Sequence, residues 1–234
     1  MAIIGLGPGS IHLIGLLTVF LLETTQVVLL ESLTNRSILS LLSNRSSIKY
    51  VGRSLYSSKS NLYGVLLFTV YICSIQIRTI WLKNGDALMF NRSWCKQMIS
   101  ASTKLEPTTV PGITSAIAAL SIGNINLNGK PNNNVLLTCN IDSIESKLSR
   151  YASVVHMSRL RFHQLSDNLI CSSVISKDNV IINHSIGLLA QNLFRVSLRD
   201  VVFTTSSWKF NSPTLVTIGE AINKHYWISW LKLN

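Results

Sequence analysis

Three glycine-bearing turns, each directly after a short apolar run, constrain this chain more than any other feature. They are Gly5-Leu6-Gly7-Pro8-Gly9, Leu82-Lys83-Asn84-Gly85-Asp86 and Val110-Pro111-Gly112-Ile113-Thr114-Ser115. In an open α/β sheet, turns of this kind gather at the carboxyl edge of the strands, where ligands bind. The third turn is the richest. Pro111 and Gly112 punctuate the chain, and Thr114 and Ser115 stand where hydroxyls cap a helix. Ala116, Ala118 and Ala119 then permit close approach, so a strand end, a turn and a small-residue helix are predicted there.

Strand and helix patterns alternate around these turns. Strands are predicted over 2–6, 26–30, 48–51, 75–82 and 108–110, with helices over 11–23, 35–43, 61–72 and 93–103. That order describes a parallel sheet covered by helices. The pattern then changes. After an Asn-rich loop over 124–134, strands are predicted over 135–139, 152–156, 170–175, 180–183 and 214–219, and helices over 141–150, 159–168 and 185–194. Short connections between strands point to a mixed sheet with helices. The expected architecture is therefore α/β with two domains, 1–108 and 109–234, and a ligand cleft where they join.

The 234 residues carry a net charge of +11, although only 13% of them are charged. The excess reflects scarce acids rather than basic blocks, and favours a polyanionic small molecule. Arg159 and Arg161 form the tightest basic pair, so no stripe for a phosphate backbone stands out and no nucleic-acid partner is expected. Cys73, Cys95, Cys139 and Cys171 lie far apart, and the five histidines lack ligand spacing, so no metal is expected. Dispersed free thiols and the lack of a signal-peptide pattern suit the cytoplasm. Two apolar stretches, 13–30 and 61–77, resemble membrane spans. The first is broken by Glu23 and Gln26, and the second falls short of the ~20 apolar residues a span needs, so no membrane partner is expected.

Gly5-x-Gly7-x-x-Ser10 approaches the dinucleotide fingerprint, and Glu31 falls about 20 residues on, where a ribose-binding acid would lie. The third glycine is missing, however, and Pro8 sits inside the loop. The order G-x-G-P-G points elsewhere. Glu31 and Arg53, both at strand ends, would share the sheet edge with Gly85 and Asp86.

Taken together, these segments resemble the tetrapyrrole (precorrin) methylases. Gly5 to Gly9 is similar to that family's G-x-G-P-G-D loop, with Ser10 at the Asp position. Val27-Val28-Leu29-Leu30-Glu31-Ser32-Leu33 resembles V-V-L-Y-D-R-L, and Tyr50-Val51-Gly52-Arg53 resembles Y-V-G-K. Leu82 to Arg92 resembles L-K-G-G-D-P-F-V-F-G-R, and Val110 to Ala119 reads V-P-G-I-T-S-A-I-A-A. Ser212 to Glu220 resembles S-P-A-L-I-V-V-G-E. The matches are collinear and span nearly the whole chain.

The resemblance implies a homodimeric enzyme that uses S-adenosylmethionine and no metal to methylate a polyanionic tetrapyrrole. The reaction it suggests is C-methylation of uroporphyrinogen III to precorrin-2. Neighbouring possibilities are a later precorrin methylation, methylation of RNA or a protein side chain, or a degenerate non-catalytic homologue. The implied cofactor contacts are Pro8, Asn84, Gly85, Asp86, Met89, Thr114, Ser115, Met157, Val174 and Thr214. The implied acid-base pair is Glu31 as proton acceptor with Arg53 at the donor position. Glu31 is one methylene longer than the family's Asp. Arg53 replaces a Lys, and because a guanidinium does not titrate near neutrality it suits gripping a substrate carboxylate.

Overall fold

The computed structural model describes residues 1–31, 34–51, 71, 77–89, 107–125, 135–138, 153–158, 179–188, 190–197, 200 and 214–219. Arg53, Val174, all four cysteines, the predicted helices over 93–103, 141–150 and 159–168, and the predicted strand over 170–175 lie outside them, as does nearly all of 61–72. The chain divides into two compact units, Met1–Ser115 and Ala116–Asn234.

The first unit holds five parallel strands: β1 (Ala2–Gly5), β2 (Val27–Leu30), β3 (Ser47–Tyr50), β4 (Thr79–Lys83) and β5 (Thr108–Val110), in the order β3-β2-β4-β1-β5. β2 and β4 are buried along their whole length. Continuous apolar runs are what the interior of a parallel sheet covered on both faces requires. β3 is an edge strand, and its Ser-Ile-Lys-Tyr sequence is largely exposed. Alternation sends Ile4, Val28, Leu30, Ile80 and Leu82 to one face, where they meet Leu22 and Ile38. Ile3, Val27, Leu29 and Trp81 occupy the other face with Val51 and Ala87.

Leu22 belongs to helix α1 (Leu16–Thr24). The single helix expected over 11–23 is instead a short 3-10 turn, Ile11–Leu13, followed by α1. Gly15 is the reason. It is costly inside a helix, and here it takes an extended conformation as the residue preceding α1. The segment expected to be helical over 35–43 is likewise a 3-10 turn, Arg36–Leu41, capped by Asn35. The Asn35 side chain accepts from Ser37 N and donates to the Gly9 carbonyl at 2.8 Å, which ties down the first glycine turn.

The second unit carries a mixed sheet of β6 (Val135–Thr138), β7 (Ser153–Ser158), β8 (Asn179–His184), β9 (Asn192–Ser197) and β10 (Thr214–Gly219), in the order β6-β7-β10-β8-β9. β6 and β7 are parallel and the remaining pairs antiparallel. Helix α2 (Ser115–Ile122) lays Ala116, Ala119 and Leu120 against Ile181 and Leu215, with Leu137 and Leu193 alongside. The helix predicted over 185–194 is not formed. Ser185 and Gly187 have φ of 54° and 74° and reverse the chain, and Gln191 Oε1 accepts from Gly187 N at 2.7 Å. The residues that follow form β9 against β8. The apolar Ile186, Leu188 and Leu189 mask a period-2 strand pattern that begins only at Asn192.

Candidate functional site

All three glycine turns emerge at the carboxyl ends of β1, β4 and β5, which are neighbours in the sheet. They touch backbone to backbone. Gly7 N donates to Gly85 O at 3.0 Å, Gly85 N donates to Gly7 O at 2.7 Å, and Leu6 N donates to Lys83 O at 2.8 Å. A Cβ on Gly112 would lie 2.4 Å from Gly85 O and 2.5 Å from the Gly5 carbonyl carbon. One on Gly5 would lie 2.6 Å from Gly112 N. No side chain fits at either position, and the neighbouring atoms are backbone, which cannot step aside. The three turns therefore form one interlocked body.

Asp86 fastens it. Its Oδ1 accepts from Leu88 N and Met89 N, both at 2.9 Å, and its Oδ2 accepts from Gly112 N at 3.2 Å. Burial pushes the Asp86 pKa up, but the N–H donors of Leu88, Met89, Gly112 and Ala87 together outweigh it, leaving the group below the ordinary carboxylate value. Asp86 thus acts on the loops around it: it ties the β4 turn to the Val-Pro-Gly turn.

Beyond Gly112 the chain runs through Thr114 to Ser115, which opens α2. Gly85, at φ +69°, faces this start, and a Cβ there would be 3.6 Å from both Ser115 N and Ser115 Oγ. Asn84, Thr114 and Ser115 are half-buried and Pro8 is buried, whereas Leu88, Met89 and Ile113 on the same turns are exposed. The first unit therefore brings together Pro8, Asn84, Gly85, Asp86, Met89, Thr114 and Ser115. Met157 and Thr214 lie on adjacent strands of the second unit, Met157 in register with Leu215. Thr214 is buried, and its hydroxyl has no hydrogen-bond partner among the described residues.

Glu31 follows β2, and β2 lies beside β4 with Leu30 in register with Leu82. Lys83, which ends β4, donates from Nζ to Glu31 Oε1. Lys83 has no role in the pattern of motifs described above. The signal was present, since a lysine closing an otherwise apolar strand must find a partner, but the partner's identity depended on strand order. No cluster of His, Cys, Asp or Glu with metal-holding geometry occurs among the described residues. None of their helices is long and apolar enough to cross a membrane.

A profile of the family described as Tetrapyrrole (Corrin/Porphyrin) Methylases matches residues 1–202. The chain is 23% identical over 245 residues to the siroheme synthase of Psychrobacter cryohalolentis, covering 97% of this chain and 45% of that protein. It spans about half the length of the first curated relatives it matches. It is also 22% identical to the uroporphyrinogen-III C-methyltransferase of Bacillus subtilis, covering 98% of this chain and 93% of that one. A solved cobalt precorrin-4 methyltransferase superposes with a TM-score of 0.82 at 15% identity, over 94% of this chain and 95% of its own. The uroporphyrin-III C-methyltransferase of Thermus thermophilus, complexed with S-adenosyl homocysteine, superposes with a TM-score of 0.75 at 18% identity, over 95% and 99%.

Proposed function

Because the chain belongs to the tetrapyrrole (corrin/porphyrin) methylase family, we propose that it methylates uroporphyrinogen III at two ring carbons, yielding precorrin-2, with S-adenosylmethionine as methyl donor. The observation that carries this reading is the interlocked body of three glycine turns. Backbone packing that only glycine permits joins the same segments in which the family resemblance is concentrated. The Bacillus relative, matched over 93% of its length, supports the uroporphyrinogen step.

The residues fit a ligand of the S-adenosylmethionine kind. Gly85 has no side chain to cover the N–H and hydroxyl of Ser115, and Met89 and Ile113 offer apolar surface on the same two turns. Pro8, Asn84, Gly85, Met89, Thr114 and Ser115 would hold the donor, with Met157, Val174 and Thr214 contributed by the second half and Asp86 keeping the loops in place. When bound, the donor supplies an electrophilic methyl on a sulfonium sulfur. Aligning that methyl with the ring carbon accounts for most of the rate. Glu31 takes the proton that the methylated macrocycle sheds, and Arg53 grips a substrate carboxylate bidentately. The charge of +11 steers the polycarboxylate to the site. Two copies of the chain pair as a homodimer in the cytoplasm.

Purified protein incubated with uroporphyrinogen III and S-adenosylmethionine should give a product heavier by two methyl groups. Glu31→Gln should cut turnover at least tenfold while S-adenosyl homocysteine binding, measured by calorimetry, stays within twofold. The second reading is a later step in the same chemistry, since a cobalt precorrin-4 methyltransferase shares the fold. An unchanged uroporphyrinogen beside a methylated later precorrin would move the assignment there.

A further inference from the structure

Lys83 is 5% exposed at the end of a strand that is otherwise Thr-Ile-Trp-Leu. An ammonium so buried is costly unless it is paired and hydrogen-bonded. Two neighbours compensate it. Nζ donates to Glu31 Oε1 across the β2–β4 pair. Strand alternation also places Trp81, two residues earlier, on the same face, with Nζ 4.4 Å from its ring centroid, within cation–π range. Among the described residues Trp81 Nε1 has no hydrogen-bond partner, and the indole meets Lys83 through its face. Lys49 of β3, in register with Leu29, is the other cation on this sheet face among the described residues, and it is exposed.

The consequence falls on Glu31. Its side chain is 26% exposed, and among the described residues Lys83 is its one partner, bound through Oε1. We propose that Lys83 is a positioning residue: clamped between Trp81 and Glu31, it fixes the Glu31 carboxylate by one oxygen and leaves Oε2 as the atom that accepts the proton. This rests on the assignment of Glu31 as proton acceptor. It also gives the site a cation of the ammonium type, which the arginine at position 53 does not supply.

The test uses the full chain as wild type, Lys83→Met, Lys83→Arg, Glu31→Gln and the double variant Glu31→Gln/Lys83→Met. Lys83→Met should lower kcat for uroporphyrinogen methylation at least tenfold with the KM for S-adenosylmethionine within twofold, and Lys83→Arg should recover most of the loss. In the Glu31→Gln background, Lys83→Met should have little further effect, because it acts through Glu31. An equal loss of kcat with and without Glu31 would overturn the proposal.

A second readout does not need turnover. The chain has five glutamates, so the 13C carboxyl resonance of Glu31 can be assigned by its disappearance in Glu31→Gln. At neutral pH, Lys83→Met should move that resonance, since the ammonium no longer holds Oε1. An unmoved resonance would sink the idea. If Lys83→Met does not fold, Lys83→Gln keeps a donor, removes the charge and should give the same shift. Should Glu31→Gln leave turnover intact while the resonance moves, Lys83 holds Glu31 as proposed but Glu31 is not the acceptor, and the mechanistic reading fails separately.

Discussion

At the carboxyl edge of the first sheet, Asp86 accepts from Leu88, Met89 and Gly112, and Glu31 is paired with Lys83. In the second sheet, Asn183, Thr214 and Thr217 are buried with side-chain oxygen or nitrogen atoms that have no partner among the described residues. By the same measure unpartnered groups occur in the first unit too, at Thr18, Thr34, Trp81 and Thr109, but none lies on the glycine turns. The difference separates two ways of building a site. The first edge is organised by its own backbone and needs no ligand to set its geometry. The second sheet carries buried polar groups with no partner among the described residues, and an uncompensated group of that kind costs about 1–3 kcal/mol. Thr214 is both one of these and one of the residues proposed to hold the donor.

The largest effect should come from the interlock. Gly112→Ala drives a Cβ into Gly85 O and the Gly5 carbonyl, so a loss of about 3 kcal/mol, at the top of the range for overpacking, is expected. S-adenosyl homocysteine binding should vanish with it. Gly15→Ala is the control, because a Cβ there meets only Thr18 Oγ1, at 4.0 Å. Equal urea midpoints for the two variants would show that the turns are not locked together.

Asp86→Ala should come next, costing about 1–3 kcal/mol through lost charge-assisted hydrogen bonds, and weakening donor binding through the displaced turn. The pH dependence follows from the lowered pKa. A depressed carboxylate contributes fully above its unfolded value, about 3.9, and loses that contribution as pH falls through the lower folded value. The stability gap between wild type and Asp86→Ala should therefore be flat from about pH 5 to 8 and shrink below about pH 4. Urea titrations at these pH values decide it; a gap that widens in acid contradicts the hydrogen-bond account.

The smallest effect has the opposite sign. Thr217 is fully buried and its hydroxyl has no partner among the described residues, so Thr217→Val keeps the shape and should stabilise the chain by about 1 kcal/mol. Destabilisation instead would mean that the hydroxyl has a partner, and the contrast between the two regions would weaken.

The sequence by itself determined the parallel strands of the first unit, the mixed sheet of the second and the three glycine turns. Apolar runs, alternation and Pro-Gly pairs act over a few residues and need no distant partner. Local pattern misled at three places. Gly15 splits the segment over 11–23, the segment over 35–43 forms only a 3-10 turn, and the apolar run from Ile186 hid the turn and strand that open beyond Ser185. There, pairing with β8 outweighed helical spacing. What only the tertiary structure decided is who meets whom. Gly5, Gly85 and Gly112 become mutual neighbours because β1 lies between β4 and β5. Lys83 reaches Glu31, 52 positions away, because β4 lies beside β2 although β3 follows β2 in the chain. A residue's local propensity carries no record of strand order, and strand order chose the partner of the buried lysine.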